Sequence, residues 1–192
     1  MSYVDANYAQ GMHAHELFEE AIEWLRENYD EFGFDMERDV VWTIKTYLVK
    51  AIKEQHLAYD VFSGYSMTRE GRRSQSADLV IRNADRSVEV VAEFKYEPSH
   101  RRTDIQPQKL PVVFWGEAPS ERGQGSVGDD VERIRHFVEA GKANVAYALF
   151  IDESGHFRHR RPFPGSRWID WEARTPEGHK VSILWSRWPE KD

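Results

Sequence analysis

Three charged residues lie within stretches that have the character of β-strands. Asp78 belongs to residues 76–82, and Glu93 and Lys95 stand near the end of residues 87–96. In both stretches apolar residues tend to alternate with other residues, the pattern of strands with one buried face. Charged side chains are rarely buried unless they are paired or bind a metal ion. An Asp, a Glu and a Lys on such strands therefore predict a site with a chemical role.

A hairpin between the two strands would bring the three side chains to one face of a sheet. The connecting sequence Asn-Ala-Asp-Arg favours a turn, because Asn and Asp tolerate the backbone angles that turns require. With residues 84–85 at the centre of the turn, Asp78 lies opposite Val91, and Glu93 is its diagonal neighbour on the same face. Diagonal cross-strand neighbours have Cα atoms roughly 7–8 Å apart. Lys95 points to the same side as Glu93 because side chains alternate along a strand.

The oxygen atoms of this set suit a hard divalent cation. Mg²⁺ binds oxygen ligands, usually one or two carboxylates together with waters and substrate phosphate. Asp78 and Glu93 would supply the carboxylates and the backbone carbonyl of Phe94 a third oxygen, and Mn²⁺ could replace Mg²⁺. Lys95, beside the metal, would orient an attacking water or a phosphate. A surface hairpin that carries an ordinary Glu–Lys pair is the alternative at this point.

The pair Ala77-Asp78 and the triplet Glu93-Phe94-Lys95 resemble the motif of the PD-(D/E)XK nuclease superfamily. The resemblance covers residues 37–152, and it departs from the motif at Ala77, where the family commonly has Pro. It implies an α/β, restriction-endonuclease-like three-layer fold, with a central mixed β-sheet flanked by helices. In that fold the Asp lies on the second strand and the Glu-x-Lys on the third.

The resemblance also implies a function. The expected activity is a Mg²⁺-dependent nuclease that hydrolyses nucleic-acid phosphodiester bonds, with Asp78, Glu93 and Lys95 as its catalytic residues. The partner is then nucleic acid, with DNA favoured over RNA, and a homodimer is left open. Because the superfamily includes members without activity, the alternative is a catalytically inactive nuclease-fold protein that binds nucleic acid or another protein.

The remaining elements are expected in the order that this fold requires. One domain over residues 1–192 is predicted, with an N-terminal helical extension at 1–36, a core at 37–152 and a Trp-rich C-terminal β extension at 153–192. Hydrophobic spacing predicts the following elements besides the hairpin: helices at 13–29, 39–55 and 129–140, strands at 58–67 and 144–151, and a second hairpin around 176–178.

Composition excludes several classes of protein. Cysteine is absent, so the chain can form neither disulfides nor thiolate zinc sites. We find no apolar run long enough to span a membrane and no N-terminal signal peptide, which together predict a cytoplasmic protein with no membrane partner.

Outside the hairpin, one acidic and several basic residues are candidates for the same site. Glu37 stands at the expected start of the second helix, where it could complete the metal site or could simply be a surface carboxylate favoured by the helix dipole. The net charge of −7 argues against a surface that attracts nucleic acid everywhere. Basic residues are instead clustered before Asp78 and after Lys95, and four of them are candidate phosphate contacts: Arg72, Arg73, Arg101 and Arg102.

Overall fold

The computed structural model describes residues 12–67, 76–99, 111–116, 125–174, 178 and 180–190. These residues form a short 3₁₀ turn at Tyr29–Glu31, three α-helices and six β-strands. The helices are α1 (Ala14–Glu27), α2 (Glu37–Glu54) and α3 (Val127–Glu139). The strands are β1 (Tyr59–Ser66), β2 (Ser76–Asn83), β3 (Val88–Glu97), β4 (Val145–Asp152), β5 (Ser166–Arg174) and β6 (Lys180–Trp188).

The six strands form one mixed sheet in the order β1-β2-β3-β4-β6-β5. Only β3 and β4 pair in parallel among these strands, and the other neighbours are antiparallel. The predicted α/β class with a mixed sheet is therefore confirmed. The predicted helices and strands form with ends that differ by one or two residues, and the C-terminal hairpin joins the same sheet as β5 and β6.

Helices cover both faces of the sheet. On one face, α1 and α2 pack their apolar sides on inward-facing residues of β2 and β3, such as Leu79 and Ala92. On the other face, Ile134 and Phe137 of α3 pack against Val80 and Val91. The prediction of one buried face for the hairpin strands is therefore wrong for β3, because α3 buries the second face as well. A site on that second face lies beneath a helix.

The hairpin register differs from the predicted one by two residues. Val91 pairs with Val80 and not with Asp78, so that Asp78 continues the pairing directly opposite Glu93. The pairing changes because the turn and β3 each contain one residue more than the predicted pairing allowed. The turn has three residues and ends at Arg86, which adopts a left-handed φ of 65°, and Glu89 is an extra, bulged residue on β3. Because two single shifts preserve the alternation, Asp78 and Glu93 still share a face.

The three helices are short or carry many charged residues. None of the helices in the described ranges is long and apolar enough to cross a bilayer.

Candidate functional site

A row of residues across the sheet places Asp78 between a glycine and Glu93. Continuing the β1–β2 register puts Gly64 opposite Asp78 on one side, and the β2–β3 register puts Glu93 opposite it on the other. Gly64 has a φ of +61°, which other residues rarely adopt, and it leaves the space beside Asp78 open. The carboxylate Oδ2 of Asp78 accepts a hydrogen bond of 2.8 Å from the backbone N–H of Phe94. This bond fixes one oxygen of Asp78 beside β3.

Lys95 joins the hairpin to both flanking layers. Its Nζ lies 3.3 Å from Glu37 Oε2 at the start of α2 and 3.0 Å from Asp130 Oδ2 on α3. It also donates a 3.0 Å hydrogen bond to the carbonyl of Phe94. The structure thus brings Glu37 to the same place as the hairpin residues, and Lys95 is the cation that links them.

Arg133 on α3 covers Glu93. Its Nε lies 3.0 Å from Glu93 Oε1, and its guanidinium also pairs with Asp130 one helical turn earlier. The side chains of Glu93 and Asp130 are only 2% and 3% exposed, whereas that of Arg133 is 28% exposed. Glu93 is therefore almost fully buried, and its partner Arg133 is the more exposed side of this ion pair. We call the six residues of this network the charged cluster: Glu37, Asp78, Glu93, Lys95, Asp130 and Arg133.

Two residues of the charged cluster, Asp130 and Arg133, were not predicted from the sequence, although one signal pointed to the first of them. Val127, Ile134 and Phe137 form a buried stripe along α3 at helical spacing, and Asp130 occupies a position in that stripe where an apolar residue is expected. A carboxylate in an apolar stripe needs a charged partner. Arg133, three residues later on the neighbouring face, is one of its partners.

The start of α3 is held in place by a close approach of two chain segments. Ser126 caps the helix by accepting a hydrogen bond from the Asp129 backbone N–H. A Cβ added at Gly116 would lie 2.1 Å from Ser126 Oγ, and one added at Gly128 would lie 2.8 Å from the Gly116 carbonyl oxygen. Only glycine fits at either position, and the tight contact fixes where Asp130 enters the charged cluster.

Burial makes the charged forms of the carboxylates unfavourable. It raises the pKa of Glu37 to about 7, against the attraction of Lys95, and it raises the pKa of Glu93 to about 9, with repulsion from Asp130 adding to the effect. Burial also raises the pKa of Asp130, although Lys95 and Arg133 oppose the shift. Burial alone would lower the pKa of Lys95, but its attraction to Asp130 and Glu37 outweighs burial and keeps the ammonium charged.

The charge of the cluster does not balance when every group is ionised. Four carboxylates then face one Lys and one Arg, which leaves an excess of two negative charges. The raised pKa values of Glu37 and Glu93 show how the protein meets this excess at neutral pH, since protons neutralise part of it. One divalent cation would supply the same two charges.

The oxygen donors of the cluster fit Mg²⁺ in type. Asp78, Glu93 and the Phe94 carbonyl lie at the same end of the hairpin, and Glu93 Oε1 is buried without an aligned hydrogen bond. As the side chains stand, the described part of the chain contains no group of three His, Asp or Glu residues arranged to hold a metal ion. Lys95 and Arg133 instead lie between the carboxylates.

A second group of buried carboxylates lies at the ends of β3 and β4, where Glu97 pairs in register with Asp152. Glu97 accepts hydrogen bonds from the backbone N–H groups of Val112 and Val113, and Asp152 accepts one from Phe157. Glu153 accepts hydrogen bonds from the Tyr29 hydroxyl and the Ser99 N–H. We call these three residues the anchor acids: Glu97, Asp152 and Glu153. Each one ties a loop or helix end to the sheet.

Four predicted residues cannot be placed. The candidate phosphate contacts lie outside the described residues: Arg72, Arg73, Arg101 and Arg102. The predicted metal and catalytic residues Asp78, Glu93, Lys95 and Glu37 all belong to the charged cluster.

Comparisons with known proteins do not add to this picture. The chain matches no protein-family model, no curated protein and no solved structure.

Proposed function

We propose that the chain is a metal-dependent nuclease with a restriction-endonuclease-like fold, which hydrolyses nucleic-acid phosphodiester bonds with Mg²⁺ or Mn²⁺. The observation that carries the proposal is the excess of two negative charges in the buried charged cluster, located where the PD-(D/E)XK motif would place a metal. Buried carboxylates are costly unless a cation or a proton neutralises them. A buried site whose ionised groups would leave two negative charges suits one divalent cation, and a cation held in this way is suited to phosphodiester chemistry.

Asp78, Glu93 and the Phe94 carbonyl would hold the cation, and Glu37 would bind it through a water. When bound, the metal supplies an activated water and stabilises negative charge on the phosphate. The remaining roles belong to the protein. Lys95 stays protonated because of its acidic neighbours, which favours an electrostatic role, holding a phosphate oxygen or the developing charge. A protonated Lys cannot act as a general base.

The basic residues near the site extend the proposal to the substrate. Arg72, Arg73, Arg101 and Arg102 would hold phosphates along the strand, since the guanidinium fork matches phosphate geometry. DNA in the cytoplasm is the substrate that we favour, in keeping with the resemblance.

One observation favours the second candidate function, a nuclease-fold protein that binds nucleic acid or protein without cutting. Arg133 already neutralises Glu93 at a distance of 3.0 Å. If this ion pair is permanent, it replaces the metal, and the chain would bind no Mg²⁺. Calorimetric titration with Mg²⁺ separates the two candidates, because only the nuclease gives a saturable heat of binding.

A nuclease assay over single-stranded, duplex and structured DNA and RNA, with Mg²⁺ or Mn²⁺, tests the favoured function. Asp78→Asn and Glu93→Gln should each lower cleavage by more than about 100-fold, because loss of even an indirect metal partner costs roughly 10–100-fold. Lys95→Ala should lower turnover while metal affinity changes less.

The matched control is Asp85→Asn, the same chemical change at an exposed residue of the turn at the other end of the hairpin. It should cut as well as the wild type. Absence of cleavage on every substrate, or full activity of Asp78→Asn, would reject the nuclease mechanism.

A further inference from the structure

Exposed apolar side chains are concentrated beside the charged cluster. Among the described residues, four large apolar side chains are exposed: Trp42, Val49, Val112 and Phe114. Trp42 is 66% exposed, although burial of its large ring would be strongly favourable. Scattered exposed apolar residues need no explanation, but three of these four border cavities that reach the charged cluster.

Trp42 forms one wall of a cavity of about 420 Å³ that opens onto Asp78 and Glu37. Gly64 lies along the same cavity, and its lack of a side chain keeps the path from Trp42 to Asp78 open. Lys45 adds a positive charge at this side: its Nζ lies 5.9 Å from the centre of the Trp42 ring. The cavity thus combines the Trp42 ring with three carboxylates and Arg38, and Lys45 lies beside the ring; the carboxylates are Glu37, Asp39 and Asp78.

Phe114 lies at a second cavity, of about 370 Å³, which adjoins Glu37 and Lys95 on the other side. Phe114 is held outward by its neighbours in the chain, since Val113 and Trp115 are buried. Its carbonyl oxygen accepts a 2.9 Å hydrogen bond from the Val127 N–H. The exposed ring therefore stands on an anchored segment.

We propose that Trp42 and Phe114 stack on unpaired bases on either side of the phosphate that the charged cluster receives. The substrate is then a single strand or a locally unpaired stretch, because bases inside a duplex have both faces covered by their neighbours. Aromatic side chains beside a cationic groove are the means by which proteins bind single strands without reading their sequence. This inference rests on the proposed nuclease function and adds the class of substrate to it.

Binding of labelled strands with and without bases tests the stacking directly. The probes are a DNA single strand of about 12 nucleotides, within the range of known single-strand sites, and an abasic strand of the same length. Fluorescence anisotropy is measured with Ca²⁺ in place of Mg²⁺, and a gel confirms that the strands stay intact. Wild type should bind the base-containing strand roughly tenfold more tightly than the abasic strand, within the range of one or two aromatic stacks.

Trp42→Ala should lose most of this preference, and Phe114→Ala should lose part of it. Trp42→Phe should keep most of it, since Phe retains an aromatic face. The control is Val49→Ala, which removes another exposed apolar side chain of α2, outside both cavities. It should leave the preference unchanged.

Several results would overturn the inference: equal binding of both strands by the wild type, an unchanged preference in Trp42→Ala, or an equal loss in Val49→Ala. A change of sedimentation coefficient in Trp42→Ala would also overturn it, because the exposed face would then join two copies of the chain.

The test is independent of the nuclease assay. Metal-dependent cleavage without a preference for bases rejects the stacking alone. A base preference that depends on Trp42, without cleavage under any metal, supports the stacking and rejects the nuclease.

Discussion

The charged cluster and the anchor acids are two groups of buried carboxylates in the same sheet, and they are neutralised in different ways. Glu153, an anchor acid, is fully buried, and it accepts hydrogen bonds from a tyrosine hydroxyl and a backbone N–H. Glu93 in the charged cluster is equally buried, but its described partner is the side chain of Arg133. Backbone groups cannot move away from a carboxylate without unfolding a segment, whereas a guanidinium can rotate to solvent.

The type of partner distinguishes a structural carboxylate from a functional one more clearly than the degree of burial does. A carboxylate whose two oxygens are both bound by donors of the surrounding fold holds a loop and leaves little capacity for a ligand, as in Glu153. Asp78 differs, because its bond to the Phe94 N–H uses one oxygen, Oδ2. A carboxylate that is neutralised by a proton or by a mobile cationic side chain can exchange that partner for a metal ion. On this basis we expect the anchor acids to stabilise the fold and the charged cluster to be the site that binds a ligand.

The same substitution in the two groups should give opposite results for stability. Glu153→Gln turns one acceptor oxygen into a donor facing either the Tyr29 hydroxyl or the Ser99 N–H, and it should lower the free energy of unfolding by about 1–3 kcal/mol, the cost of a buried unsatisfied group. Burial already favours the neutral form of Glu93, which Gln resembles, so Glu93→Gln should leave the metal-free protein unchanged or more stable.

Urea denaturation of both variants in EDTA measures the contrast. Asp85→Asn serves as the surface control and should match the wild type. A loss of stability in Glu93→Gln as large as that in Glu153→Gln would mean that Glu93 is a structural acid like the anchor acids.

The strands that hold Asp78, Glu93 and Lys95 could be predicted from the sequence, but the position of α3 over them could not. Alternation along β2 and β3 placed Asp78, Glu93 and Lys95 on one face, and that result survived a register error of two residues because the error was even. A shift of one residue would have reversed it. The bulge at Glu89 depends on hydrogen bonds from Asn83 and Asn144, and the second of these is distant in sequence.

The partners from α3 depend on tertiary packing, which local patterns do not determine. The amphipathic character of α3 was evident from the sequence, but not that its polar edge lies over Glu93. Asp130 was detectable in principle as a carboxylate in an apolar stripe. Arg133 was not, because an arginine at the border of a helix's apolar face is usually solvated.

The stability of the metal-free protein should fall as the pH rises. Burial raises the pKa of Glu37 to about 7 and that of Glu93 to about 9, from usual values near 4.5. The folded chain therefore holds more protons than the unfolded chain between these values, and stability that is complete at low pH is lost as the pH rises towards about 9. Burial also raises the pKa of Glu97 to about 7, so one anchor acid contributes in the same direction.

Mg²⁺ separates the contributions of the two groups. If Mg²⁺ binds the charged cluster as proposed, it replaces the protons of that cluster and not the proton of Glu97. Because fewer protons compete at higher pH, the rise in melting temperature caused by Mg²⁺ should increase with pH. Thermal melts with EDTA or Mg²⁺ over a pH series measure this, and Glu93→Gln should flatten the dependence on Mg²⁺. A Mg²⁺ effect that is constant with pH would show that the metal binds elsewhere.

The smallest expected effect concerns Arg133, and it decides whether the arginine competes with the metal or replaces it. If Arg133 must leave Glu93 before Mg²⁺ binds, the apparent affinity is reduced by the fraction of molecules in which it has left. Arg133→Gln should then tighten Mg²⁺ binding, by about 1 kcal/mol or roughly fivefold.

Calorimetry at about pH 8.5 limits competition from protons. Arg135→Gln is the matched control, because Arg135 lies on the same helix but is 59% exposed and pairs with Glu139. If Mg²⁺ binds neither the wild type nor Arg133→Gln, the charged cluster is a structural ion-pair network, the nuclease proposal is rejected and the binding-module interpretation remains. If Arg133→Gln binds Mg²⁺ and the wild type does not, Arg133 is the residue that prevents metal binding.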